Sequence, residues 1–198
     1  MQVNIPENIS QDLMPTKSLK SIPENISLER INTESPESMF VRDVIRYVLV
    51  EYLPDLNWTP SGIFVQQNCD SPFSPAIESV IVETLDRIGA TILQKYEQRF
   101  PKRNLSPQKH FEYCVEIIEK SYGTEQVNAY LLAVCAIVSM FTAISVSFDV
   151  MEAPDISHEL IVRYFETLKS RGLIADTFWA DLENICAKEE ENKKTQNV

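Results

Sequence analysis

The longest uncharged stretch of the chain, residues 126–148, most constrains how this protein can fold. It reads QVNAYLLAVCAIVSMFTAISVSF and is bracketed by Glu125 and Asp149. A helix of this length could cross a bilayer, or it could be apolar on all sides because other helices surround it. Its interior polar residues and the lack of a flanking basic cluster favour a buried central helix. A membrane span remains the alternative.

The composition favours an all-α fold and argues against several classes of function. The chain is 44% hydrophobic but has only four glycines, which is too few for sheets or phosphate-binding loops. A formal net charge of -11 argues against nucleic-acid binding, because a nucleic-acid site needs a basic face. Four cysteines without a C-x-x-C pair and two histidines predict no metal site, and no cofactor is expected.

Both ends of the chain look unlike the middle. Residues 1–37 are polar, contain four prolines and carry IPENIS twice, which predicts a disordered tail. The first residues lack a basic segment and an apolar segment, so we expect no signal peptide and a cytoplasmic location with reduced thiols. Residues 188–198, KEEENKKTQNV, predict a polar C-terminal tail.

The segment 38–187 shows helical periodicity on either side of the uncharged stretch. The sequence predicts a first helix from about Ser38, a long loop over 54–75, and a second helix over 75–100 that Pro101 ends. Loops of that length are usually functional or mobile. The dipeptide Ser106-Pro107 predicts the start of a third helix.

Two further helices are predicted after the uncharged stretch. Gly172 is placed as the C-cap of the first of them and Asp176 as the N-cap of the second. The inward face of the last helix is predicted from its apolar spacing: Phe178, Trp179, Leu182 and Ile185.

Residues that could carry catalysis are few and scattered. His110 and His158 belong to no motif and are expected at the surface or as helix caps, while Cys114 and Cys135 are expected to be buried and inert. Phosphate-binding and zinc-protease motifs are absent from the sequence. We therefore expect a protein that is not an enzyme and that binds the apolar face of a partner helix in a groove between its own helices.

The stretch IVETLDRIGATIL, residues 81–93, resembles the third homology motif of the Bcl-2 family of apoptosis regulators. That motif combines apolar residues at helical spacing with a small residue and an aspartate. Its counterparts here are Ile81, Leu85, Ile88, Gly89 and Ile92. Ala90 stands where the family has the aspartate.

Other segments resemble the same family in the same order. FVRDVIRYVLVEY is similar to its fourth motif, and NLSPQKHFEYCVEIIEKSYGTEQVN to its path into the central helix. Val127-Asn128 resembles the start of the first motif, and DTFWADL, with Trp179, the second. Leu131 replaces the arginine that would pair with a partner's aspartate. The general pattern is nearest the Bak type.

The resemblance implies a Bcl-2-like helical bundle around a central hydrophobic helix, spanning residues 38–187. It further implies a hydrophobic groove for the Bcl-homology-3 helices of partner proteins. Carried over by position, the groove residues are Ile92, Tyr96, Phe100, Cys114, Ile118, Asn128, Leu131 and Val138.

The function implied is that of an apoptosis regulator in the cytoplasm or at the mitochondrial outer membrane. It would bind other Bcl-2 family proteins through amphipathic helices and so control mitochondrial outer-membrane permeabilisation. The alternatives are a Bak-like effector that exposes its own Bcl-homology-3 helix and permeabilises the membrane, or an unrelated helical adaptor. The family often ends in a membrane-spanning tail. None follows Val198, and the sequence leaves open whether such an anchor was removed or the protein is naturally soluble. Whether the protein promotes or prevents apoptosis is left open.

Overall fold

The structure, a computed structural model, describes residues 32–66, 70–101, 104–120 and 127–196. Across these ranges the regular structure is entirely helical, which confirms the all-α prediction. The six α-helices, in chain order, are α1 Pro36–Tyr47, α2 Pro75–Arg99, α3 Pro107–Lys120, α4 Val127–Ser147, α5 Ala153–Ser170 and α6 Phe178–Gln196. Most of the predicted N-terminal tail, residues 1–31, lies outside the described ranges.

Helix α4 lies at the centre of the bundle, as its uncharged sequence predicts. It packs against α1, α2, α3 and α5, and its side chains from Leu131 to Ser139 are all buried. It is the one helix in the described ranges with the length and apolar composition to cross a membrane. Because 89% of the most apolar 18-residue segment of α4 is buried inside the protein, α4 is a core helix in this structure.

Three of the helices begin with the same Ser-Pro dipeptide, in which the serine is the N-cap. The hydroxyls of Ser35, Ser74 and Ser106 accept hydrogen bonds from backbone N–H groups three residues ahead, at 3.2, 3.4 and 3.3 Å. The proline that follows each serine has its φ preset for the first helical turn. The start predicted at Ser106-Pro107 is confirmed, and α1 begins at Pro36 because it carries the same signal.

The helix ends follow the sequence less closely. Gly172 has a φ of 68°, and the hydrogen bonds of Gly172 N–H to Lys169 and of Leu173 N–H to Leu168 close α5 as predicted. The cap predicted at Asp176 is wrong, because α6 begins at Phe178 and Thr177 directly precedes it. Helix α6 also extends through 188–196, where a polar tail was predicted. Lysine and glutamate are good helix formers, and this explains the extension.

Two local features change which residues are buried. The chain after α1 widens into a π-helical turn, Val48–Tyr52, and the loop that follows contains a 3-10 turn, Gly62–Val65. Trp58 and Phe64 in this loop are buried, with ring centroids 5.7 Å apart. In α6, Ile185 is 36% exposed whereas Cys186 is buried, so the predicted inward position of Ile185 is wrong.

Candidate functional site

The predicted docking motif is the buried stripe of α2 that packs against the central helix. Ile81, Leu85 and Ile92 are at most 2% exposed, Gly89 is buried, and Ile88 is half-buried against the core. The sequence positions these residues because their spacing returns to one face of the helix every turn. In this structure, therefore, the protein holds a helix of the docking pattern against its own α4.

The residues predicted to line the groove lie mainly in the core around α4. Six of them, Ile92, Tyr96, Cys114, Ile118, Leu131 and Val138, are at most 6% exposed. Phe100 and Asn128 are half-buried. A partner helix could reach this set only if the side chains of α2 and α3 first moved apart.

Aromatic rings fill the space between the C-terminal end of α2, α3 and α4. We call Tyr96, Phe100, Tyr113, Phe141 and Phe148 the aromatic cluster. The Phe100 and Tyr113 rings meet edge to face at 5.6 Å, and Tyr113 meets Phe141 at 4.7 Å. Tyr96 stacks on Phe141 at 5.5 Å and on Phe148 at 6.1 Å. Such contacts contribute about 0.5–1.5 kcal/mol each beyond area burial, so the cluster holds α2 and α3 together.

Tyr113 was not among the predicted groove residues, although it links the two walls. The apolar spacing of α3 predicts an inward face of Phe111, Cys114, Val115 and Ile118. Cys114 and Ile118 are buried as this predicts, whereas Phe111 and Val115 are only half-buried. The buried face is turned toward Tyr113 and Ile117 instead. The available signal was that His110, Tyr113 and Ile117 share one face at i, i+3 and i+7.

An ion pair also joins α2 to α3. Arg99 Nη2 donates to Glu116 Oε1 at 3.2 Å, with side chains 45% and 10% exposed. The exposed guanidinium is screened by solvent, so the pair contributes less than about 1 kcal/mol. The pair therefore links the end of α2 to α3 at the surface and contributes little to the stability of the bundle.

The prediction that His110 lies at the surface or at a cap is wrong: it is 1% exposed and surrounded by hydroxyl groups. Its Nδ1 lies 2.8 Å from Ser145 Oγ and its Nε2 lies 2.8 Å from Ser157 Oγ. Tyr96 Oη lies 2.7 Å from Ser145 Oγ, and Thr142 Oγ1 lies 2.6 Å from Ser157 Oγ. We call these five side chains the polar chain. It connects α2, α3, α4 and α5.

Burial is the main influence on His110. It lowers the pKa of the imidazole to about 4, and a hydrogen bond to the Ala153 backbone opposes this in part. The ring is therefore neutral at pH 7. No sequence motif marked this histidine, because its hydroxyl partners Ser145 and Ser157 lie on two other helices. The hydroxyl residues within the apolar α4 were the available signal.

The prediction for His158 is also wrong, since it is 4% exposed and joins α5 to α1. Its Nε2 lies 3.0 Å from Ser38 Oγ and 3.1 Å from the Ser38 carbonyl oxygen. The Phe64 ring packs edge to face on the imidazole at 6.1 Å. Burial lowers the pKa of His158, and the Ser38 backbone acts in the opposite direction.

The thiols are buried as predicted. Cys114 and Cys135 are both 0% exposed. Burial raises the pKa of the Cys114 thiol to about 12 and raises that of Cys135 as well. Neither thiol forms the thiolate that nucleophilic chemistry needs at pH 7.

The two positions at which this chain departs from the family motif do not face each other. Leu131 is fully buried in α4, whereas Ala90 is exposed on α2. Helix α4 itself contains no charged residue that could replace the missing arginine.

No protein-family model, curated protein or solved structure matches the chain. Within the described ranges, no group of three or more His, Cys, Asp or Glu side chains could hold a metal ion. Over the residues that it describes, the structure is a six-helix bundle around one apolar helix, in which Phe100 with Tyr113 and Arg99 with Glu116 join the C-terminal end of α2 to α3.

Proposed function

We propose that this protein is a Bcl-2-type regulator of apoptosis. It binds the amphipathic Bcl-homology-3 helices of partner proteins in a hydrophobic groove between α2 and α3, floored by α4, and so controls mitochondrial outer-membrane permeabilisation. The observation that carries the proposal is the position of the motif residues Ile81, Leu85 and Ile92, which are buried on the face of α2 that packs against α4. The apolar surface of this bundle thus already accepts a helix with the required spacing.

Binding on this proposal requires the contact between α2 and α3 to open. Phe100 must part from Tyr113 and Arg99 from Glu116 before Leu131 and Val138 become accessible. Four apolar anchors of a partner helix contribute about 1.5–3 kcal/mol each. The free-energy costs of opening the groove, ordering the partner helix and bringing the two molecules together oppose that sum. The apparent affinity falls further, in proportion to the fraction of molecules whose groove is open.

Fluorescence-anisotropy titration with a panel of labelled Bcl-homology-3 peptides tests the proposal. We expect saturable binding of some members, and no binding of a matched peptide whose four apolar anchors are alanine. Phe100→Glu at the half-buried groove rim should weaken binding, while Leu173→Glu, at a 45% exposed position after α5, should leave it unchanged. Absence of binding by every peptide at high micromolar concentration would refute the proposal.

One observation favours a second candidate, a Bak-like effector that permeabilises the membrane. The docking motif of α2 covers α4, an uncharged helix long enough to span a bilayer. If α2 swings away, it exposes both the motif and this helix. Dye release from anionic liposomes, with and without an activating peptide, distinguishes the two candidates: an effector releases dye when activated, and a binding regulator alone does not.

A further inference from the structure

The hydrogen-bond directions in the polar chain follow from its geometry. The Thr142 hydroxyl donates to the Val138 carbonyl oxygen at 2.8 Å, so the Ser157 hydroxyl must donate to Thr142 Oγ1. With its proton used, Ser157 Oγ accepts from His110 Nε2–H. A neutral imidazole has one donor nitrogen and one acceptor nitrogen. His110 is therefore the Nε2–H tautomer, and its Nδ1 is an acceptor.

The other half of the polar chain is determined in the same way. His110 Nδ1 accepts from the Ser145 hydroxyl, and Ser145 Oγ in turn accepts from the Tyr96 hydroxyl. Every hydroxyl proton then has one acceptor, and the series ends on a backbone carbonyl. A proton added at Nδ1 would turn the Ser145 hydroxyl round to donate to Tyr96 Oη, which leaves the Tyr96 hydroxyl proton without its acceptor and places a charged ring among neutral groups.

We propose that His110 is an acid-sensitive latch, and that its protonation releases α3 from the bundle and opens the aromatic cluster. Tyr96 belongs both to the polar chain and to the aromatic cluster, so the loss of one contact loosens the other. The latch requires only this fold. Its consequence for partner helices rests on the proposed function.

Burial disfavours a proton on His110, and the Ala153 backbone opposes it only in part. Tyr96 from α2 and Cys114 from its own helix, whose Sγ lies 3.5 Å from Nε2, are both neutral at pH 7, because burial raises both pKa values. Helix α4 contributes hydroxyl groups and no charge. A charged imidazole in this site would be poorly solvated, and its side-chain hydrogen-bond partners Ser145 and Ser157 are neutral.

The charged groups on the neighbouring helices are already engaged or lie at the surface. Glu116 on α3 pairs with Arg99 on α2, and Glu159 on α5 pairs with Arg163. Asp155 in the first turn of α5 is exposed. Protonation of Glu116 in acid would also release its pair with Arg99 between α3 and α2, so a variant without the His110 imidazole is needed to separate the two effects.

Hydrogen exchange of the full chain as a function of pH tests the latch. After correction for intrinsic exchange, protection of the α3 amides should fall by about tenfold per pH unit below about pH 6.5, where an exposed histidine protonates. The amides of α4, which exchange when the whole chain unfolds, should share this slope and keep higher protection than the α3 amides at every pH. His110→Gln, which cannot titrate, should remove this slope in α3. His158→Gln, which removes the other buried imidazole, should keep it.

An equal slope in wild type and His110→Gln would overturn the proposal, as would wild-type α3 amides that keep full protection until the whole chain unfolds. If His110→Gln fails to fold, the protection of the α3 amides in the wild type still tests the proposal. Nitrogen chemical shifts of the His110 ring should show the Nε2–H tautomer at pH 7. An Nδ1–H tautomer or a doubly protonated ring at that pH would contradict the latch. None of these measurements uses a partner peptide, so a failure of the latch can be told apart from a failure of the proposed function.

Discussion

Replacing Gly89 in the docking motif by alanine should stabilise the protein. Gly89 lies in the interior of α2, where glycine costs about 1 kcal/mol relative to alanine. A Cβ at this position would meet only Met140 Cε, at 3.9 Å, which is an ordinary van der Waals contact. Burying that methyl group adds a few tenths of a kcal/mol to about 0.8 kcal/mol. We expect a gain of about 1.3–1.8 kcal/mol in the free energy of unfolding.

Urea unfolding followed by circular dichroism measures this gain as a higher midpoint with an unchanged slope. The neighbouring residue supplies a matched control. Ala90 is exposed, so Ala90→Gly should cost about 1 kcal/mol through the backbone alone. The double variant should then lie near wild type. If Gly89→Ala destabilises the protein, α2 and α4 approach each other more closely than in this structure, and the reasoning fails.

Three further predictions test the core. The pKa of His110 is about 4 in the folded chain and about 6.5 in the unfolded chain, so the unfolded chain takes up the proton first as the pH falls. The contribution of neutral His110 to the free energy of unfolding is complete above about pH 6.5, and about 3 kcal/mol of it is lost as the pH falls toward 4. His110→Gln should lack that part of the acid dependence in urea unfolding at successive pH values. Phe141→Ala, at a fully buried position of the aromatic cluster, should cost about 3–5 kcal/mol, measured by chemical denaturation; a cost below that of Leu93→Ala, at a 39% exposed position, would contradict the cluster. Leu131→Arg introduces the arginine that the Bcl-2 motif has at this position, and it should cost at least about 3 kcal/mol because it buries an unpaired charge. The control variant Leu131→Met should cost less than about 1.5 kcal/mol. Equal thermal stability of the two variants would show that Leu131 is accessible.

The helices themselves were largely predictable from local signals. The uncharged stretch predicted α4, Pro75 and Pro101 bounded α2, and Ser106-Pro107 began α3. These signals act over one or two turns, through preset φ angles and capping hydrogen bonds. The errors at Asp176 and at the end of α6 have the same local origin. Several neighbouring residues can cap a helix, and the sequence does not say which one does.

The candidate site was predicted only in part. Apolar periodicity placed Ile81, Leu85 and Ile92 on one buried face, and the structure has them there. It could not show whether that face meets a partner or the protein's own α4, because both cases require the same spacing. It also missed Tyr113, since a small rotation of an amphipathic helix exchanges half-buried for buried positions.

Sequence alone determined that this chain is helical and that one helix must be shielded from water, by other helices or by lipid, because an uncharged stretch of that length is costly to expose to water. Only the tertiary structure decided that α2 and α3 close over α4, and that His110 and His158 are buried. The hydroxyl partners of His110 come from α4 and α5, and Ser145 in turn bonds to Tyr96 of α2, far away along the chain. A histidine that satisfies both ring nitrogens inside a core looks the same in sequence as one on the surface, because the hydrogen bonds that make burial tolerable form only when the helices pack.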